Sequence, residues 1–292
     1  MDTTETLKRR IHTAEELYSL VRTMKALAAV NIRQLERAVA SLDGFQRTIE
    51  LGLRGLFRHS QGSELAARLA PRRAPAAIVL GSDQGMCGQL NEQVAQLVAQ
   101  SLPGPQEAGS LIVIGQRVAA RLEEMGYRID VPLPVAASIA GIAPLVRGVL
   151  VQLDAWQTAY GIDRVEMYYA QHLSRAAFEP RRVELLPLDR QWLDALQQQE
   201  WPTRAIPAVT MDTGTLFSAL VRQYLFVSVF RACAETMASE NASRLAAMRG
   251  AERNISDRIT ELTQAFHQTR QMAITEELLD IASGFEALRK QQ

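Results

Sequence analysis

The sequence predicts an α/β protein: a long antiparallel coiled coil of N- and C-terminal helices with an inserted Rossmann-like α/β domain, a mostly parallel five-stranded sheet. Three observations predict it. All eleven prolines lie between Pro71 and Pro207; proline breaks helix interiors, so both flanks can run as long helices. The N-terminal flank repeats apolar residues every seven positions. The stretch between the flanks alternates strand-like and helix-like runs. The 292 residues therefore divide into an N-terminal coiled-coil helix over 1–70, a central α/β domain over 71–207, and a C-terminal helix over 208–292 that pairs with the first.

In the N-terminal flank, steps of seven from Leu7 reach Leu7, Ala14, Val21, Ala28, Leu35, Leu42, Ile49 and Leu56. Steps of seven from Ile11 reach Ile11, Tyr18, Lys25, Ile32, Val39, Gln46 and Leu53. Only Lys25 and Gln46 interrupt the stripe. A 4-3 repeat kept this long is a coiled-coil seam, with a left-handed supercoil. A helix over Thr4 to Phe57 would be about 80 Å long, too long for a compact bundle of this size.

In the middle, strands are expected at Ala76–Gly81, Leu111–Gly115, Tyr127–Val131, Arg164–Tyr169 and Arg182–Leu188. Helices fit Asn91–Ser101, Gln116–Met125 and Ile142–Tyr160, with Gly126 and Gly161 where helix-ending glycines belong. The last two strands have no helix between them, so an antiparallel hairpin is expected around "AQHLSRAAFEP".

The C-terminal flank is periodic but less regular. Ile255, Ile259, Leu262, Phe266, Thr269 and Ala273 keep a 4-3 spacing; Ile274, Leu278, Ile281, Phe285 and Leu288 keep it one residue out of register. Such a slip changes the winding locally. A helix from about Thr213 to Leu288 would outlast the first by about 20 residues, so one helix end should project alone.

Composition narrows the function. Lys+Arg and Asp+Glu are equal at 32 each, so no global charge attracts nucleic acid. Two cysteines, Cys87 and Cys233, make no disulfide framework and suit a reducing compartment. The N-terminus "MDTTETLKRR" lacks the apolar core of a signal peptide. The uncharged stretch Val131–Val146 carries Pro132, Pro134 and Pro144 and is too short and too broken to span a bilayer, so no direct membrane insertion is expected.

"AAIVLGSDQGMCGQLNEQV", residues 76–94, has the layout of a phosphate-binding loop. A Walker loop needs G-x-x-x-x-G-K-[ST], yet Gly81 and Gly88 are seven apart and Gln89-Leu90 stands where Lys-Ser/Thr would be. Gly85 and Gly88 supply only the last half of G-x-G-x-x-G. No lysine or arginine lies between Arg73 and Arg117, so a bound anion would meet the like charge of Asp83. A tight strand-to-helix turn is the better reading. The four histidines show no metal spacing, and nothing assembles a nucleophile, a base and an oxyanion site. No catalytic residue, cofactor or metal is expected. Cys87 could be a reactive thiol or a small loop residue, and Glu276, Glu277 and Asp280 read as a solvated helix face.

Four segments carry a family resemblance. "SDQGMCGQLN" resembles S-D-R-G-L-C-G-G-L-N of the gamma subunit of F-type ATP synthases. "LLPL", residues 185–188, is similar to the close of its α/β domain. "ASENASRLAAMRGAERN" and "TRQMAITEELLDIASGFEAL" resemble its C-terminal helix, whose I-T-x-E-L-x-E-I stands here as Ile274 to Ile281. "IHTAEELYSLVRTMKALAAVNIRQLE" follows the family's first helix more loosely.

The resemblance implies a rotor. The terminal helices would form a central shaft inside a ring of three alpha and three beta subunits. The α/β domain would bind the epsilon subunit and the membrane c ring. The complex would sit peripherally at the cytoplasmic face of the bacterial inner membrane, and ATP chemistry would belong to the beta subunits. By the same resemblance Met24, Arg244, Arg270, Gln271 and Thr275 match positions that meet beta-subunit loops. The turn holding Asp83, Gln84 and Cys87 matches a segment facing an acidic loop of a beta subunit.

There are departures. Gln84 replaces an arginine and Gln89 a glycine; Asn31 and Gln34 stand where lysines are usual, and Lys25 where glutamate is common. Several of these are similar to the alternative N-type sodium-translocating ATPases, so either subfamily, and either H+ or Na+, fits. A nucleotide-sensing domain on a coiled-coil stalk and a free-standing scaffold are the other readings of the same pattern.

Overall fold

The computed structural model describes residues 3–59, 76–105, 109–173, 177–201 and 208–289. Two long helices bracket an α/β body. Helix α1 (Thr4–His59) starts at Thr3, whose hydroxyl accepts the Thr6 N–H at 3.3 Å. Helix α6 (Thr213–Arg289) starts at Asp212, whose carboxylate accepts the Thr215 N–H at 2.8 Å. By internal contacts the chain forms two units: Met1–Leu27 with Leu245–Gln292, and Ala28–Arg244.

The larger unit is built on a five-stranded sheet of order β3-β2-β1-β4-β5. Its strands are β1 (Ala76–Leu80), β2 (Leu111–Ile114), β3 (Val131–Leu133), β4 (Val165–His172) and β5 (Phe178–Leu186). The first four run parallel and β5 returns antiparallel to β4. Helices α2 (Leu90–Ser101), α3 (Gln116–Glu124) and α4 (Ile139–Tyr160) make the crossovers. Parallel strands covered on both faces are apolar throughout, and β1 and β2 are buried at every position. One face (Ala77, Val79, Leu111, Val113, Tyr168) packs on Leu90, Val94 and Val98 of α2 and on Val118 and Leu122 of α3. The other (Ile78, Leu80, Ile112, Ile114, Met167, Tyr169) packs on Ile142, Val146 and Val149 of α4 and on Val229, Ala232, Cys233 and Ala238 of α6.

The sequence missed helix α5 (Arg190–Gln198). Asp189 caps it by accepting the Gln191 N–H at 2.9 Å, and Leu193 and Leu196 pack with Ile49, Leu53 and Leu56 of α1 and Phe217 of α6. The expected strand Tyr127–Val131 is also corrected: β3 begins where that strand was to end. Tyr127 is instead buried among α2 and α3, and the Asp130 carboxylate accepts the Leu111 N–H at 2.9 Å. β3 is an edge strand, so Pro132 is tolerated there. β5 begins at Phe178, four residues before the expected start. Pro144 lies near the start of α4, where a single intrahelical donor is lost, and does not break it. By length and composition α4 and the Thr213–Ser283 stretch are apolar enough to cross a membrane, but Ile142, Val146, Val149 and Trp156 of α4 are buried against the sheet.

Every position of the N-terminal seven-residue stripe is buried or half-buried. Its polar interruptions meet polar groups of α6. Lys25 pairs with Glu252, and Gln46 accepts from Arg231 at 3.2 Å. Off the stripe, Asn31 donates to Asn241 at 3.4 Å and Asp43 pairs with Arg231 at 2.7 Å. As the α1 number rises the α6 number falls, so the helices are antiparallel.

On α6, Leu262 is buried and Ile259 and Phe266 are half-buried. Ile274, Leu278 and Ile281, also expected in the seam, are instead 47%, 62% and 62% exposed. With Lys25 opposite Glu252, the first turn of α1 comes level with about residue 273 in an antiparallel pair, so no described residue of α1 stands opposite these three. The side chains of Phe285 and Leu288, from the same expected repeat, lie outside the described residues.

A buried charge fastens β5 to β4. Glu166 is 2% exposed and accepts from Arg182 at 2.7 Å and from the Tyr168 hydroxyl at 2.5 Å, with Arg164 at 2.9 Å. Burial alone would raise its pKa, but the hydrogen bonds and the two guanidiniums together hold it below the ordinary 4.5. A depressed folded-state pKa adds stability that is present above the unfolded value and lost as pH falls through the folded one.

Two predictions follow from the core. Leu35, 2% exposed, packs in the cluster shared by the sheet and α6. Leu35→Asp buries an unpaired carboxylate and should sharply lower the melting temperature followed by circular dichroism; unchanged melting would place Leu35 outside the core. Glu166→Gln should destabilise the chain at pH 7 by about 3–5 kcal/mol, the range for removing one partner of a buried ion pair. The gap from wild type should narrow below pH 4.5; a gap independent of pH would mean the carboxylate charge contributes nothing.

Candidate interaction surface

The loop from Gly81 to Gln89 sits at the carboxyl end of β1, where the strand order passes from β2 on one side to β4 on the other. Doubly wound sheets bind ligands in the crevice at that point. Here protein fills it. A Cβ on Gly81 would lie 2.5 Å from Val118 and 2.6 Å from the Asn91 Oδ1. A Cβ on Gly115, at φ +116°, would lie 2.8 Å from the Ser82 nitrogen. These glycines permit close packing of loop on loop. The Ser82 N–H, which a phosphate would need, donates to Asn91 at 2.9 Å.

Asp83 is half-buried, and its two carboxylate oxygens are both engaged: one accepts the Gln116 N–H at 2.8 Å, the other the Val135 N–H at 2.9 Å. It thus ties the loop after β1 to the segments that follow β2 and β3. Cys87 is 2% exposed, with its sulfur 3.4 Å from the Ser82 hydroxyl and 3.5 Å from the Asn91 amide nitrogen. Both were expected to face a partner; Cys87 is instead buried, while Asp83 stays half-exposed with its oxygens taken by the chain's own amides. Gln84 and Gln89 face solvent, as does a residue the sequence reading passed over, Met86. Met86 holds φ +61° and is 61% exposed; its setting between Gly85 and Gly88 was the signal that it occupies the bend.

Arg244, on α6, reaches this loop. It is 9% exposed, pairs with Glu240 at 2.6 Å and donates to the Gly85 carbonyl at 3.4 Å. Glu240, unremarked in the sequence although its i,i+4 spacing from Arg244 was legible, is 8% exposed. Burial raises its carboxyl pKa against the pull of Arg244, and Asp83 adds to the rise. The structure thus brings Asp83, Gln84, Cys87 and Arg244 together. Arg270, Gln271 and Thr275 share an exposed stretch of α6, and the Thr275 hydroxyl donates to the Gln271 carbonyl at 2.8 Å. Met24 is half-buried on α1.

A cavity of about 590 Å³ opens between α1, the β4–β5 face and α6. Arg47, Arg181 and Arg231 line it against Asp43, Glu50 and Glu235, a balance that selects neither anion nor cation. Burial raises the Glu235 pKa. Among the described residues no three His, Cys, Asp or Glu side chains group as metal ligands.

A family model described as ATP synthase matches residues 3–288. The chain is 28% identical to the ATP synthase gamma chain of a Synechococcus species, over 99% of this chain and 100% of that one. It is also 28% identical to the ATP synthase gamma chain of Cupriavidus metallidurans, over 98% and 99%. In fold it is similar to a chain of the Euglena gracilis mitochondrial ATP synthase OSCP/F1/c-ring structure, with a TM-score of 0.67 at 16% identity over 98% of this chain and 94% of that one. A chain from the central stalk and c ring of the Tetrahymena thermophila enzyme gives a TM-score of 0.57 at 19% identity, over 80% and 99%. With a match running almost from end to end, the chain belongs to the ATP synthase gamma-chain family.

Proposed function

We propose that this chain is the central rotor shaft of a rotary, ion-translocating ATP synthase, coupling ion flow through a membrane ring of c subunits to ATP synthesis or hydrolysis at sites on other subunits. One observation carries the reading: α1 and the C-terminal part of α6 keep large apolar residues exposed. Leu17, Leu20 and Leu27 of α1 are 49%, 56% and 61% exposed, and Ile274, Leu278 and Ile281 of α6 are as open. Large apolar side chains left exposed along helices in this way mark a surface that another protein covers. A ring of three alpha and three beta subunits is the partner that fits, with an epsilon subunit and the c ring at the α/β body. In that assembly the chain is peripheral to the membrane, on the cytoplasmic face of the bacterial inner membrane. It contributes no catalytic group. Its part in the chemistry is mechanical: an asymmetric shaft presents a different face to each site of the ring, and a coupling free energy between shaft and site follows from that difference.

The isolated chain should hydrolyse no ATP, and hydrolysis should appear on reconstitution with alpha and beta subunits. Steady turnover by the purified chain that survives repurification would overturn the reading. Gln84, exposed on the loop, tests the charge of the contact. A surface ion pair is worth about 0–1 kcal/mol, so Gln84→Arg should leave melting nearly unchanged. Within a partly desolvated contact the added cation should alter ATP hydrolysis by the reconstituted complex, by up to about fivefold at low salt. The effect should shrink as salt rises. Coincident rates at every salt concentration would remove position 84 from the contact.

A further inference from the structure

We infer that Arg244 is a positioning residue that clasps the Ser82–Gly88 loop to helix α6. Its Nη2 is shared between the Glu240 carboxylate, 2.6 Å away on the same helix, and the Gly85 carbonyl at 3.4 Å on the loop. Its Nε is covered by protein. Glu240 is as enclosed as the arginine it holds. From the other side, Asp83 pins the loop to the Gln116 and Val135 amides. Two anchors therefore fix the loop, one in the α/β body and one on α6. What remains free to meet a partner is the row of outward side chains, Gln84, Met86 and Gln89. The clasp makes the direction of that row a property of α6.

The buried thiol of Cys87 reports on the clasp. Its sulfur lies beneath the loop against Ser82 and Asn91, whereas Cys233, the other cysteine, is sealed in the core between the sheet and α6. In the isolated full-length chain, maleimide labelling of each cysteine is followed by mass spectrometry. Wild type should label slowly at both. Arg244→Gln should label Cys87 faster by about tenfold or more, the scale of one lost hydrogen bond from a charged donor, with Cys233 still slow. Arg244→Lys keeps the charge but loses the forked donor, and should fall between. Two outcomes overturn the inference: Cys87 labelling unchanged in Arg244→Gln, which would mean that the loop does not depend on Arg244, or Cys87 and Cys233 accelerating together, which would mean that Arg244 supports the whole fold. The inference takes the rotor reading for its consequence, but this test needs no partner subunit, so failure of either is distinguishable from failure of the other.

Discussion

The contact on which the larger unit depends is a run of small side chains on α6 laid against the sheet. Ala232, Cys233, Ala234 and Ala238 occupy the same cluster as Ile78, Ile112 and Met167. Ser239 donates to the Ala170 carbonyl at 3.0 Å, near the end of β4. Small residues let a helix axis come close to its neighbour, and close packing resists sliding because interiors are as dense as molecular crystals. A sheet held this way cannot swivel about the helix without opening its own core. The α/β body and this stretch of α6 therefore move together, which is the mechanical property a shaft with an inserted domain requires.

Much of this was legible in the sequence, for physical reasons. Proline distribution bounded the long helices because the lost donor and ring clash apply wherever a helix interior would be. The seven-residue stripe was readable because a seam constrains one position in every turn. β1 and β2 were readable because a strand buried on both faces has no choice but to be apolar. The shortfalls also have causes. Helix α5 is nine residues long, too short for periodicity to show above the turn residues around it. β3 was misplaced because the ring of Tyr127, read as a strand residue, serves the core between α2 and α3. Ile274, Leu278 and Ile281 continue an apolar spacing past the described residues of α1, and spacing alone cannot say whether a partner lies in the same chain.

The loop after β1 shows the same limit in miniature. The missing cation argued against a phosphate cradle, but which side chains point outward depends on bonds that bridge distant parts of the chain. Asp83 is occupied by amides 33 and 52 residues away. Arg244 arrives from 159 residues away to meet Gly85. A resemblance carried over residue by residue identifies the loop; it does not reveal which of its groups are already spoken for.

The cross-helix polar matches have a consequence for how the chain can vary. Lys25 meets Glu252, Asn31 meets Asn241, and Arg231 reaches both Asp43 and Gln46. Each match joins one residue from the first sixth of the sequence to one from its last quarter. A hybrid that took α1 from a relative with glutamate at position 25 and kept this α6 would set two carboxylates face to face at Glu252. The two helices are thus a single inheritable unit despite the domain inserted between them, and exchange of one helix alone among relatives is expected to fail.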